Sequence, residues 1–434
     1  MKRAVCSTDL LKWFVTDAIR AGNRRQSGLE WAATMATTAS VKQAKLESAR
    51  AGAMPARLVS LDVFRGMTIA GMILVNNAGN WNAVYWPLDH AQWHGWTPTD
   101  LIFPFFLFIV GVSMVLSFEA RRRRGATSGE LLRHVVQRSA IIFAIGLALA
   151  FWGRSFNLHT VRIYGVLQRI AAVYLVASAI VLYCGRRARA GIAAGLLLGY
   201  WLLMTRAPGF DLTMDGNLAG FVDRKLLYEH LWIAHRFDPE GLLSTIPAVV
   251  TTLIGVFTGE WLSQASGVRL QASGGNGENP QPLQASGGQA GKVQGMVVAG
   301  AALMVAGEVW GQWFPINKNL WTSSYVLFTG GFALAALALC YWMVEIRGFR
   351  RWGAPFVWYG SNAITVYAAS GALAIFSIKH YVRPGVTYKA WVYGTVFAPL
   401  AAPENASVMY ASAYVITFMV LAWVMYRNKV FIKI

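Results

Sequence analysis

Ten apolar blocks, each close to the length of a membrane-crossing helix, constrain this chain more than any other feature. They fall at 59–78, 99–118, 135–153, 164–184, 190–206, 242–262, 293–312, 321–344, 354–377 and 407–426. About 20 apolar residues carry a helix across the hydrocarbon layer of a bilayer, and within lipid only helices or closed barrels satisfy their own backbone. The chain is 56% hydrophobic and 14% charged, whereas a soluble domain is about a quarter charged. The expected fold is therefore all-α, a polytopic membrane helix bundle of about ten transmembrane helices.

The net charge of +19 is distributed as short bursts between the blocks: Arg121 to Arg124, Arg186 to Arg189, Arg347 to Arg351, and Arg427 to Lys433. Counting loops from a cytoplasmic N-terminus puts every burst on the cytoplasmic side, while the first outer loop, 79–98, has no Lys or Arg. The bias of basic residues toward cytoplasmic loops thus predicts cytoplasmic N- and C-termini, with the arginines beside lipid headgroups. Charge spread in this way makes a lipid bilayer the partner and does not describe a nucleic-acid surface. Cys6, Cys184 and Cys340 are scattered and odd in number, which indicates neither a disulfide framework nor a metal site.

Residues 1–56 read as a basic cytoplasmic extension, with Met54 offering a later start just before the first block. Residues 57–434 form the transmembrane domain. Within it, 263–292 repeats QASG at 264, 271 and 284 and has the composition of a flexible cytoplasmic insertion. The segment 206–241 carries four Lys/Arg against six Asp/Glu and is expected to be an ordered periplasmic cap that reads a polar substrate. The stretch 389–403 is apolar but short and reads as interfacial or re-entrant.

Polar groups at membrane depth mark the candidate site, because they are costly there unless they face a cavity or one another. WPLDHAQWHGWTPTDLIFPFF at 86–106 sets His90, His94 and Asp100 at the outer mouth of the second block. Asp100, two residues after Pro98, suits a helix cap and equally a catalytic carboxylate. His90 suits a general base or an acylated nucleophile. His90 and His94 are four apart, a spacing that suits a metal on a helix, but Gly95 and Pro98 break the helix and no third ligand follows. In the first block, Asp62 and Arg65 share a helix face and pair, or Arg65 binds an anionic cytosolic ligand. Gln168, Arg169, Glu260 and Asn362 line a path through the bundle or tie helices together. Lys318 meets an anionic sugar or a lipid headgroup.

The stretches LDVFRGMTIAGMILVNNAG, HAQWHGWTPTDLIFPFFLFIVG, GVLQRIAAVYL, DPEGLLSTIPAVVTTLIGVFTGE and FPINKNLWTSSYVLFTGG together resemble the bacterial relatives of heparan-alpha-glucosaminide N-acetyltransferase, a family of multispan transmembrane acyltransferases. The resemblance implies acetyl transfer from cytosolic acetyl-CoA, with no metal, to an amino sugar or other saccharide acceptor across a bacterial inner membrane, and a homodimer. It implies that His90 is the essential histidine on the periplasmic side and Asn76 the site asparagine. Asp100 then orients the imidazole, Arg65 contacts the coenzyme, and Asn77, Trp93 and Lys318 contact the acceptor. A carrier or flippase for a sugar conjugate, using the same polar cleft for passage, is the alternative function.

Overall fold

The computed structural model describes residues 58–232, 236–264 and 288–432. The extension expected over 1–56, and the 263–292 insertion except for its ends, lie outside the described residues. The helices are α1 Val59–Asn76, α2 Ile102–Arg122, α3 Ser128–Gly153, α4 Val166–Tyr183, α5 Arg186–Arg206, α6 Leu218–Leu227, α7 Thr245–Gln264, α8 Gln289–Gly311, α9 Ser323–Tyr341, α10 Ala354–Ser361, α11 Ala363–Lys379, α12 Tyr388–Val392 and α13 Pro403–Arg427. A two-stranded antiparallel hairpin, β1 Tyr381–Arg383 and β2 Val386–Thr387, pairs Tyr381 with Thr387 and Arg383 with Val386 around a left-handed Gly385.

Among the described residues nine helices are long and apolar enough to cross a membrane, and the sharply bent pair α10 and α11 brings the number to ten when it is counted as one span. All ten expected blocks are therefore found, and the chain is an all-α multispan membrane protein. Boundaries moved where local chemistry overrode hydropathy. Helix α3 begins seven residues before its apolar block because Thr127 and Glu130 form a capping box, with Glu130 N donating to Thr127 Oγ1 at 3.2 Å and Thr127 N to Glu130 Oε2 at 2.8 Å; such reciprocal caps satisfy the free donors of a helix start. The ninth block is not one straight helix: it bends by 83° between Ser361 and Ala363, where Asn362 adopts non-helical angles. At 389–403 the chain makes only α12 and one wide turn, Tyr393–Phe397, about half the length needed to span.

Helices α1, α2, α4, α7 and α9 are mostly buried, whereas α3, α5, α8 and α13 expose most of their apolar surface at the periphery. Exposed Leu198, Leu202, Val298, Val305 and Val420 are what lipid contact requires, since hydrocarbon does not penalise them. Between buried helices the contacts rely on small residues that let backbones meet. A Cβ at Gly111 would lie 2.0 Å from Thr252 O, and one at Gly255 would lie 2.0 Å from Phe108 O, so α2 and α7 touch backbone to backbone. Helix α1 meets α10 in the same way: a Cβ on Gly66 would lie 1.7 Å from Phe356 O, and one on Gly360 would lie 2.3 Å from Asp62 O.

The bundle has two unlike ends. One carries Arg121 to Arg124, Arg186, Arg187 and Arg347, and the other carries the loops 77–101, 207–244, 312–322 and 380–402. They are called here the arginine end and the histidine end. Gly255→Val should force α2 and α7 apart and cost about 1–3 kcal/mol, the usual range for overpacking. Thermal unfolding of the detergent-solubilised protein should show a lowered midpoint, whereas valine at lipid-facing Gly199, where a Cβ meets nothing within 4 Å, should leave it nearly unchanged.

Candidate active site

At the histidine end, Pro98–Leu101 makes a 3-10 turn that leads into α2. Thr97 and Asp100 form a capping box on this turn, with Thr97 N donating to Asp100 Oδ2 at 3.1 Å. Oδ2 also accepts Ala91 N at 3.0 Å, and Tyr325 Oη donates to the Asp100 carbonyl at 2.5 Å. The other oxygen, Oδ1, lies 2.7 Å from His90 Nδ1. Asp100 is thus both helix cap and histidine partner, the two roles that the sequence left open between them. Its side chain is 1% exposed, whereas that of His90 is 43% exposed, so the imidazole stands between a buried carboxylate and the outside.

Lys318 completes the cluster. Its Nζ lies 3.0 Å from His90 Nδ1, 3.2 Å from Nε2 and 3.5 Å from Asp100 Oδ1. With only 16% of its side chain exposed, it faces the imidazole and the carboxylate, and does not reach out toward a headgroup. Burial draws its ammonium below the ordinary lysine value, against the opposing pull of Asp100 and Glu240. The turn that carries it is fixed: Asn317 N donates to Thr322 Oγ1 at 3.1 Å, Asn317 Oδ1 accepts Leu320 N at 2.9 Å, and Gly95 N donates to Ile316 O at 2.8 Å. Asn317 Nδ2 also meets His94 Nδ1 at 3.3 Å, so His94 contacts the same loop one residue from Lys318. Burial holds the His94 imidazole below its ordinary value.

A second polar group packs behind Lys318. Arg162 pairs with both Asp238 and Glu240, and its guanidinium lies 4.8 Å over the Trp232 ring. Fully buried Arg169 donates to Ser244 Oγ and stacks 4.9 Å over Trp321, while its Nε and Nη1 find no acceptor among the described residues. Burial raises Asp238, whereas at Glu240 the arginine field outweighs burial and lowers it. Sequence reading singled out Arg169 but missed Arg162, Asp238, Glu240 and Asn317. The one available signal was the acidic excess of 206–241, which gave no pairing.

The other expected site residues are less closely gathered. Asn76, the last residue of α1, is exposed and joins none of the His90 hydrogen bonds. Asn77 is buried and donates its amide to Ile73 O at 2.7 Å. Trp93 donates from Nε1 to Leu212 O at 2.8 Å and stacks edge-on with Phe237 at 5.3 Å, fastening the histidine loop to the 206–241 segment. Glu260 pairs with Arg189 between helices.

At the arginine end a cavity of about 410 Å³ opens between α2, α3, α4 and the α10–α11 break. Arg65, Arg121, His134 and Arg138 supply its polar wall, and Phe106, Ile109, Val110 and Ile170 its apolar depth. Arg65 makes the expected 3.0 Å contact with Asp62, and its Nη2 donates to Ser113 Oγ at 2.6 Å. Arg121 Nη2 lies 2.9 Å from His134 Nε2. Arg138 stacks 5.0 Å over Tyr174 and keeps a buried Nε with no acceptor among the described residues. Asn362 closes the wall: its Nδ2 donates to Val430 O at 3.0 Å and its Oδ1 accepts Ile432 N at 2.9 Å.

Burial raises the Asp223 carboxyl to about 6, so the folded chain holds that proton to higher pH than the unfolded chain. More protons bound in the folded state means stability falls as pH rises, here between about 4 and 6, by roughly 3 kcal/mol at 1.36 kcal/mol per unit. Asp223→Asn keeps an acceptor for Leu242 N, which the aspartate takes at 2.9 Å. Unfolding followed across pH 4–7 should therefore lose this part of its slope in the variant.

Comparison with known proteins gives one family. The model of the catalytic region of heparan-alpha-glucosaminide N-acetyltransferase matches residues 57–291. The human protein of that name is 27% identical over 89% of this chain and 61% of its own length. The mouse protein is 26% identical over 87% of this chain and 60% of its own length. The chain thus spans about three-fifths of the length of these curated relatives.

Proposed function

Because the chain belongs to the heparan-alpha-glucosaminide N-acetyltransferase catalytic family, we propose that it is a membrane-embedded acetyltransferase, one that moves the acetyl group of acetyl-CoA to an amino sugar on the opposite side of the membrane. One observation carries this reading: the cavity and the histidine cluster lie in line along α2. Arg121, Ser117, Ser113, Val110 and Phe106 line the cavity, a run of about 22 Å at 1.5 Å per residue. Asp100, which holds His90, follows about 9 Å beyond Phe106 on the same estimate.

The cavity suits acetyl-CoA chemically. Arg121 and Arg138 offer charged donors to phosphate, and Arg138 Nε is already desolvated and without an acceptor among the described residues. The apolar depth suits the pantetheine arm. On the positive-inside bias the arginine end faces the cytosol, where acetyl-CoA is made, and His90 faces the periplasm of a bacterial inner membrane. Both termini are then cytoplasmic.

In this mechanism Asp100 accepts the Nδ1 hydrogen of His90 and so leaves Nε2 as the basic nitrogen, with Lys318 Nζ beside it at 3.2 Å. The acceptor amine attacks the thioester carbonyl while Nε2 takes one of its protons, forming a C–N bond and a tetrahedral oxyanion. Collapse breaks the C–S bond, and the leaving thiolate takes the proton from the imidazolium. The products are the N-acetyl sugar and free CoA. Asn76, exposed at the same end of the bundle, contacts the acceptor.

His90→Ala should lower the rate at which acetyl-CoA and glucosamine release free thiol by about 10²–10⁴-fold, the range that a positioned base provides. Arg138→Met should weaken CoA binding by about 10–100-fold, the loss of one charge-assisted hydrogen bond, while the unfolding midpoint stays near wild type. Transport of a sugar conjugate into vesicles, with no thiol released and no need for CoA, would instead establish a carrier.

A further inference from the structure

We propose that Lys318 is the cation that stabilises the tetrahedral oxyanion, a catalytic residue in its own right. The proposal rests on the reading of His90 as base and adds the group that answers the negative charge formed opposite it.

The argument starts from the saturation of Asp100. Its Oδ2 accepts Ala91 N and Thr97 N, and its Oδ1 is engaged by His90 Nδ1 at 2.7 Å. Lys318 Nζ stays 3.5 Å from that oxygen, longer than the 2.7–2.9 Å of a good ammonium–carboxylate bond. A lysine ammonium has three hydrogens to donate. The imidazole contacts, 3.0 Å to Nδ1 and 3.2 Å to Nε2, put Nζ against the ring, nearly equidistant from its nitrogens. They engage at most one hydrogen. The cation therefore retains donor capacity beside the atom that takes the proton.

The charges also balance in the right order. With His90 acting as base, the cluster enters the reaction with one carboxylate, one ammonium and a neutral imidazole. Attack creates an imidazolium and an oxyanion together. Asp100 answers the imidazolium at Nδ1, and the oxyanion answers Lys318, whose ammonium lies 3.0 and 3.2 Å from the ring nitrogens and would otherwise repel the imidazolium. Donors fixed before the reaction, in a site poor in water, are the most effective form of such stabilisation. Lys318 meets the requirement of being fixed in advance, because Asn317, Leu320, Trp321 and Thr322 around it are 2% exposed or less. Asn76 does not, since it is exposed at a helix end and makes none of these hydrogen bonds.

The test uses the full-length protein in detergent, with acetyl-CoA and glucosamine, and compares Lys318→Met with His90→Ala. Lys318→Met should lower kcat by about 10²–10³-fold, the usual effect of removing one oxyanion donor. Both KM values and the affinity for CoA should stay within about threefold. Fluoroacetyl-CoA, whose oxyanion is intrinsically more stable, should recover more of the lost rate in Lys318→Met than it adds in wild type. A kcat near wild type, or a loss confined to the KM for glucosamine, would overturn the proposal and leave Lys318 an acceptor contact. If the methionine variant does not fold, Lys318→Gln, whose neutral amide still donates but carries no charge, should lower kcat by a smaller factor of about 10-fold with both KM values kept, and an unchanged kcat would again overturn the proposal. Full activity in His90→Ala would instead remove the base reading itself, whatever the lysine variants do.

Discussion

A single buried carboxylate organises the histidine end. Asp100 sits where the chain must turn from a polar loop into a hydrocarbon-embedded helix, and a charge there survives only if it is hydrogen-bonded on all sides. One oxygen is spent on backbone donors that cap the turn, and the other holds His90. The position of α2 therefore fixes the position of the imidazole, with no flexible linker between them. Because α2 packs backbone to backbone against α7 through Gly111 and Gly255, that position is referred to a direct backbone contact within the bundle.

The same helix connects the two ends electrostatically. The 3-10 turn that leads into it carries Asp100 and its last turn carries Arg121 and Arg122, the arrangement that a helix dipole favours. Between them, its inner face alternates small and apolar groups that line the cavity: Val110, Ser113, Met114 and Ser117. A cofactor-sized ligand lying in that space runs parallel to the helix and passes from a basic surroundings to an apolar one. Such a gradient suits a molecule with charged phosphates at one end and a thioester at the other. The bend at Asn362 places Gly360, Ser361, Asn362 and Ala363 in the wall of this space.

Much of this was legible in the sequence, for reasons that can be stated. The nine straight membrane-length helices and the site of the bent pair were readable because hydropathy integrates over about 20 residues and tolerates local error. His90 and Asp100 were readable as a pair of candidates because they lie ten residues apart in a polar loop. Asp62 with Arg65 followed from helical spacing alone. What sequence could not give was contact between distant segments. Lys318 is 228 residues from His90, and Arg162 is 76 from Asp238; neither separation has a local pattern. The break at Asn362 was missed because apolar residues flank it on both sides, and hydropathy does not sense backbone angles. Asn77 and Trp93 were expected at the acceptor, yet their polar atoms serve helix and loop carbonyls, a local use that composition does not distinguish from ligand contact.

The central claim is that a coenzyme entering at the arginine end brings its thioester to an imidazole at the histidine end. A structure determined with bound acetyl-CoA tests this most directly. Phosphate density is expected among Arg121 and Arg138, pantetheine along Ser113 and Val110, and the thioester carbonyl in contact with His90 and Lys318. Density that places the nucleotide outside this cavity, or a thioester separated from His90 by closed protein, would contradict it.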